Sequence, residues 1–361
     1  MDIAALSAHF PATETSTYLN TPATGLLSRL LLEWRRDHDQ EFLLKGSGFK
    51  SRYFQDMQGV RQTVSDFFDG EVARVSLVQN FTLALNALVR GLASTEKVLV
   101  FDCDYPSLWW PFKEQGCELV QIPIDTPPNE LLDRIKKEGI TVFAFSLVQY
   151  LSGIPMDLDL VKEIKSRYPE VLLIADGTQF CGTQAFSFAD SGIDILGASA
   201  YKWMLGGFGC GFFMHKEGVE DRLQISQIGY HAARYDMENT RPALAARLEP
   251  GHLDTLSFGS MAFSLRFLGQ IGMQKVAAHL NELSEKSKDG LAALGLLDQR
   301  IGLEAKHTTI YNVAGVPGLD EYLVANGVVC APRGPGVRVG FHIYNTLDDV
   351  DRFLGLVKAI R

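Results

Sequence analysis

What this chain of 361 residues lacks narrows its chemistry before any motif is read. No apolar run approaches the roughly 20 residues that a membrane-spanning helix needs, and no internal repeat or low-complexity tract is visible. There is no surplus of basic residues: Lys+Arg number 34 against 43 Asp+Glu, a formal net charge of −9, with the charges scattered rather than blocked. An electrostatic surface for nucleic acid or anionic membrane is therefore not expected, although a local site for a small anion does not depend on net charge. Cysteine is sparse and odd in number: Cys103, Cys117, Cys181, Cys210 and Cys330 include no CxxC pair, so neither a disulfide framework nor a zinc site is expected. The opening Met1-Asp2-Ile3-Ala4-Ala5-Leu6 places an acid early and no basic flank before an apolar segment, unlike a secretory signal. A cytoplasmic protein with reduced thiols is the expectation.

What is present suits a globular enzyme-sized chain. A content of 46% hydrophobic and 21% charged residues is enough for two domains with ordinary cores. From about residue 70 to 235, short apolar runs alternate with amphipathic segments, the pattern of a mostly parallel sheet with helical crossovers. Strands are predicted at 75–78, 97–101, 117–122, 141–147, 171–175, 193–198 and 211–215, with helices at 82–91 and 158–168 among the crossovers. After Pro250-Gly251 the pattern changes to helices at 259–269 and 273–294, then short strands near 308–313 and 336–341. Thr346-Leu347-Asp348-Asp349 reads as a capping box with Asp in the usual Glu/Gln place, opening a final helix through Val350, Phe353, Leu354 and Val357. The expected division is an N-terminal segment 1–24 packing near the small domain, a large α/β domain 25–255 with a seven-stranded sheet, and a small α+β domain 256–361.

Two polar turns stand out. Asp176 closes the apolar run Val171-Leu172-Leu173-Ile174-Ala175, and Lys202 follows Ile193-Asp194-Ile195-Leu196-Gly197 within Ser199-Ala200-Tyr201-Lys202-Trp203. Strands ending in such turns bring their polar residues to one crevice at the carboxyl edge of a parallel sheet, where open α/β folds bind ligands. A lysine and an aspartate so placed point to pyridoxal 5'-phosphate (PLP), with the amine forming a Schiff base to the aldehyde and the carboxylate keeping the pyridine nitrogen protonated.

Other residues fit around that pair, each with a plainer reading beside it. Val75-Ser76-Leu77-Val78-Gln79-Asn80-Phe81-Thr82 runs a strand into a helix whose first amides, with the Thr82 hydroxyl, suit a phosphate; Asn80 or Thr82 also reads as a simple cap. Tyr105, in Asp102-Cys103-Asp104-Tyr105-Pro106, can lie on a pyridine ring or be an ordinary turn tyrosine. Gln179 can reach the ring's phenolic oxygen or help cap a helix, and Ser199 and Tyr201 can serve the phosphate or simply alternate at a strand end. Arg338, in the apolar Gly336-Val337-Arg338-Val339, suits a carboxylate clamp or a structural ion pair. Arg333, in Pro332-Arg333-Gly334-Pro335, reads as solvated, and Trp109 and Trp110 read as core aromatics.

On Asp176-Gly177-Thr178-Gln179 and Ser199-Ala200-Tyr201-Lys202 above all, the chain resembles the class V aminotransferase family of PLP fold type I enzymes, which includes cysteine desulfurases and isopenicillin N epimerase-like proteins. The likeness runs from Tyr18-Leu19-Asn20-Thr21 to Tyr344-Asn345-Thr346. It implies Lys202 as the Schiff-base lysine, Asp176 at the pyridine nitrogen, Gln179 at the ring oxygen and Tyr105 in the stacking position. It further implies Phe81 through its backbone, Thr82 and Ser199 on the phosphate, and Arg338 on the substrate carboxylate. It also implies a homodimer in which His252, in Leu248-Glu249-Pro250-Gly251-His252, reaches the partner chain's phosphate, although a surface-loop histidine fits as well. Cys330 lies in an apolar run where a thiol is usually inert, so a thiol-dependent desulfurase is disfavoured. Transamination of an amino acid is the first expectation, a β-lyase or an epimerase the alternatives, and a non-catalytic PLP-binding protein a rival of another class.

Overall fold

The computed structural model describes residues 3–233, 243–302 and 306–361. Seven strands form the central sheet: β1 (Val75–Val78), β2 (Lys97–Phe101), β3 (Glu118–Ile122), β4 (Val142–Ser146), β5 (Leu172–Asp176), β6 (Ile195–Ser199) and β7 (Gly211–His215). Their spatial order is β1-β7-β6-β5-β4-β2-β3, with every pairing parallel except the two made by β7. The expected mostly parallel seven-stranded sheet is thus present, each strand within two residues of its predicted bounds.

Alternation along these strands explains how the sheet is covered. Leu99, Phe101, Phe143, Phe145, Leu173 and Ala175 face one buried layer with α2 (Tyr53–Phe68), α5 (Pro128–Glu138), α6 (Leu158–Arg167) and α7 (Thr255–Ile271). Val98, Val100, Val142, Ala144, Leu172 and Ile174 face the opposite layer with α3 (Phe81–Val89) and α4 (Pro106–Glu114). A strand buried on both sides must be apolar at consecutive positions, so these runs were readable as strands. α1 (Arg29–Lys45) buries only Leu31 against the rest.

A separate core gathers Tyr311 and Val313 of β8 (Ile310–Ala314) with Val337 and Val339 of β10 (Gly336–Gly340). Between them in chain order lies β9 (Ala331–Arg333), antiparallel to β10, which in turn pairs antiparallel with β8. α8 (Met273–Ala293), α9 (Leu319–Ala325) and α10 (Leu347–Ile360) cover this sheet, and the Thr346–Asp349 capping box is formed. Leu6, Phe10 and Leu19 enter the same core, and Thr17 and Tyr18 pair in parallel with Val328 and Val329. No helix among the described residues is long and apolar enough to cross a membrane.

Candidate active site

The carboxyl ends of β1, β2, β4, β5 and β6 surround a cavity of about 520 Å³. Of the residues predicted from the sequence, Phe81, Thr82, Tyr105, Asp176, Gln179, Ser199, Tyr201 and Lys202 line it. Arg338 and His252 stand outside its wall. The walls are completed by Asn80, Ser146, Val148, Tyr150, Thr178 and Phe208, among others.

Lys202 is buried, 8% exposed. Its Nζ lies 5.8 Å from the Tyr105 ring centre and 5.7 Å from that of Tyr201. Desolvation pulls the amine down to about 8, against the opposing pull of Asp176, and Arg338 and Arg333 lower it further. Asp176 ends β5 and accepts from the Thr178 amide at 2.8 Å. Its carboxyl is raised by burial, while Thr178 and the charge of Lys202 work the other way. Lys202 and Asp176 line one cavity and interact through space, yet no ion pair within 4.0 Å joins them.

Ser199 engages the turn that opens α3. The Phe81 amide, expected to face a phosphate, donates to Ser199 Oγ at 2.9 Å. Asn80 caps α3 by accepting from the Leu83 amide at 2.9 Å, so the plainer reading of Asn80 also holds. The Ser199 amide in turn donates to Thr178 Oγ1 at 3.1 Å, which locks the ends of β5 and β6 together.

Gln179 lines the cavity but is braced from behind: its Nε2 donates to the Pro22 carbonyl at 2.9 Å and its Oε1 accepts from Trp203 Nε1 at 2.7 Å. One amide N–H is left for a ring oxygen. Tyr201 stacks on Phe208 with centres 4.8 Å apart, and burial pushes its hydroxyl up to about 12. Trp110 is exposed and neither tryptophan of the 109–110 pair lines the cavity, so the expectation of two core aromatics holds only for the partly buried Trp109.

Arg338 is 4% exposed and has no carboxylate partner among the described residues. Its Nη1 donates to the Tyr150 carbonyl at 2.8 Å, while its Nε is buried without a partner. Burial, then the nearby Arg333, lowers the guanidinium to about 10. Among the described residues no ion pair answers this guanidinium, and a buried cation with an unused donor asks for an anion. His252 is exposed and lines a neighbouring cavity of about 370 Å³ with Leu248, Glu249 and Gly251. Only Gln79 and Leu83 border both cavities.

Two positions that shape the site were not singled out in the sequence. Asp104 is 3% exposed and accepts from the amides of Tyr105 at 2.7 Å and Ser146 at 2.8 Å and from the Ser146 hydroxyl, which fixes Tyr105 over the cavity. Burial raises its carboxyl to about 6 despite those donors. Tyr150 meets Tyr105 edge to face at 5.3 Å and carries the carbonyl that holds Arg338. The Asp-Cys-Asp-Tyr turn signalled a polar junction, but nothing in it separated the buried Asp104 from the exposed Asp102.

These residues fit PLP on their own chemistry. A desolvated amine would hold the aldehyde, a buried carboxylate the ring nitrogen, Tyr105 the ring face, and the turn of Ser199 and Thr82 the phosphate. Comparison with known proteins agrees. The family profile for Aminotransferase class-V matches residues 41–353. An uncharacterized aminotransferase of Bacillus subtilis is 22% identical over 97% of this chain and 96% of its own length. A probable cysteine desulfurase of Pyrococcus abyssi is 24% identical, again over 97% of this chain and 96% of its own. Among solved structures, a C-DES variant with glycine covalently linked to its PLP cofactor superimposes with a TM-score of 0.87 at 16% identity, covering 96% of this chain and 97% of that one. With its seven-stranded sheet and its lysine and aspartate meeting across one cavity, this chain belongs to the class V aminotransferase family of PLP-dependent enzymes.

Proposed function

We propose that this chain removes the α-proton of an amino acid and that the outcome is transamination. The observation that carries the reading is the sharing of one cavity by Lys202 and Asp176 without direct contact. Bound PLP supplies an aldehyde for the substrate amine and a ring that accepts the electron pair left by the departing proton. Lys202 is suited to take that proton, since an amine held at about 8 by burial is near the working range of a general base. Asp176, kept from water, can hold a proton at the ring nitrogen. Arg338 offers the guanidinium for the substrate carboxylate, and Tyr105 and Tyr201 flank the amine.

Among the described residues no thiol lines the cavity. Cys330 packs against the small-domain core, where burial raises it to about 11, and Cys103 is also raised by desolvation and by Asp102. The site is therefore equipped for a reaction that uses no protein sulfur nucleophile. A second reading, cleavage of the substrate's own C–S bond, is supported by the relative described as a probable cysteine desulfurase.

A single-turnover experiment separates the two. Holoenzyme mixed with a panel of L-amino acids should release keto acid stoichiometric with enzyme, bleach the visible cofactor band, and recover that band on adding a 2-oxo acid. Sulfide and pyruvate from cysteine, with no recovery step needed, would replace transamination by the second reading.

A further inference from the structure

The hairpin that supplies Arg338 carries a second guanidinium that the chemistry above does not use. Arg338 pairs with Ala331 and Gly336 pairs with Arg333 across β9 and β10. Residues opposite one another in an antiparallel pair share a face, as do residues two apart, so both arginines project from one side of the hairpin as diagonal neighbours. Ala331 and Gly336, opposite them, put no bulk between the two. The hairpin tip packs beside the cavity wall: a Cβ on Gly334 would lie 3.1 Å from Leu151, the residue after cavity-lining Tyr150. Arg333 is close enough to be felt by Lys202, Tyr150 and Arg338.

Like charges placed diagonally on a sheet face repel. No carboxylate lies within 4.0 Å of either arginine among the described residues. Arg300, which is also felt at Cys103, is by contrast closed by Asp298 at 2.7 Å. The hairpin beside Tyr150 thus carries two guanidiniums with no carboxylate partner among the described residues, while an ordinary amino acid brings a single carboxylate. We propose that Arg333 binds a second, side-chain carboxylate, and that the substrate class is the dicarboxylic amino acids. The inference rests on the amino-acid reading of the cavity. Arg338 takes the α-carboxylate, and Arg333, exposed on the same face of the hairpin, meets the distal one, so the two anions offset the repulsion between the guanidiniums.

The test is a titration of wild-type holoenzyme with L-aspartate, L-glutamate, L-alanine and L-norvaline, followed by the change in the visible cofactor band. The expected result is a preference of tenfold or more for a diacid over its neutral counterpart. Arg333→Ala should reduce that ratio at least tenfold, Arg333→Lys should restore part of it, and Arg333→Glu should shift preference toward L-ornithine and L-lysine. Equal response to diacids and neutral amino acids, or a ratio unmoved in Arg333→Ala, overturns the assignment of Arg333 and leaves the amino-acid reading standing. A cofactor band that responds to no amino acid overturns both.

Discussion

Lysine 202 pays for its chemistry with stability. Its amine, normally near 10.5, is lowered to about 8 by burial, so the folded protein protonates it less readily than the unfolded chain does. Between those two values the unfolded chain binds more protons, and stability therefore rises with pH across that window. Below about pH 8 the full penalty is present, roughly 3 kcal/mol from the size of the shift. Lys202→Met removes the charge while keeping an unbranched apolar stem. In cofactor-free protein at pH 7, urea unfolding should find the variant more stable by about 2–3 kcal/mol. The gain should shrink as pH is raised from 8 toward 10.5, and an equal stability difference at both ends of that range would show that the buried amine is not its source. The same variant should lose the visible cofactor band.

Between strands and helices, the site is held by buried carboxylates that join elements far apart in sequence. Glu249 is the clearest. Its carboxylate accepts from the Leu77 amide of β1 at 2.6 Å and pairs with Arg61 of α2, whose Nε lies 3.3 Å away. One side chain thereby ties sheet edge, covering helix and the loop that carries His252. Glu249→Ala leaves a buried guanidinium and a strand amide without partners, and should cost about 3–5 kcal/mol in denaturant unfolding. Glu249→Gln keeps an acceptor for Leu77 and should cost less; identical losses in the two variants would mean that the charge pair, not the strand contact, dominates.

Such junctions mark the limit of what the sequence disclosed. The sheet was legible because burial on both faces writes a continuous apolar run, and Lys202 and Asp176 were legible because they interrupt such runs at their carboxyl ends. Asp104 and Glu249 obey no periodicity, since their partners, Ser146 and Leu77, come from other segments. α1 was overlooked for a different reason: it buries Leu31 alone and leaves Phe42, Leu43 and Leu44 exposed, so its surface carries no stripe of helical spacing. The turn from β1 into α3 was legible as a polar junction, but the engagement of the Phe81 amide by Ser199 depends on the distance between β1 and β6, which spacing along the chain does not record.

Across the whole molecule, the N-terminal segment couples the small sheet to the catalytic turn. Thr17 and Tyr18 pair with Val328 and Val329, Asn20 bridges to Gly340, the Pro22 carbonyl holds Gln179, and the Gly25 amide donates to the Tyr201 carbonyl at 2.8 Å. Gly25 ends this path pressed against the lysine: a Cβ there would lie 2.1 Å from the Lys202 carbonyl oxygen and 2.7 Å from Leu205. A backbone oxygen cannot swing aside as a side chain can, so Gly25→Ala must displace either the segment or the turn bearing Lys202. Overpacking of this kind costs about 1–3 kcal/mol, and here the strain falls on the residue proposed to hold the cofactor. The variant should fold, with a lowered melting temperature, and should release PLP during dialysis faster than wild type. Gly59→Ala is the control, because its Cβ would meet nothing within 4 Å on the exposed face of α2, where alanine favours helix by roughly 1 kcal/mol. Cofactor retention equal to wild type in Gly25→Ala, with stability also unchanged, would mean that the N-terminal segment yields freely and does not set the position of Lys202.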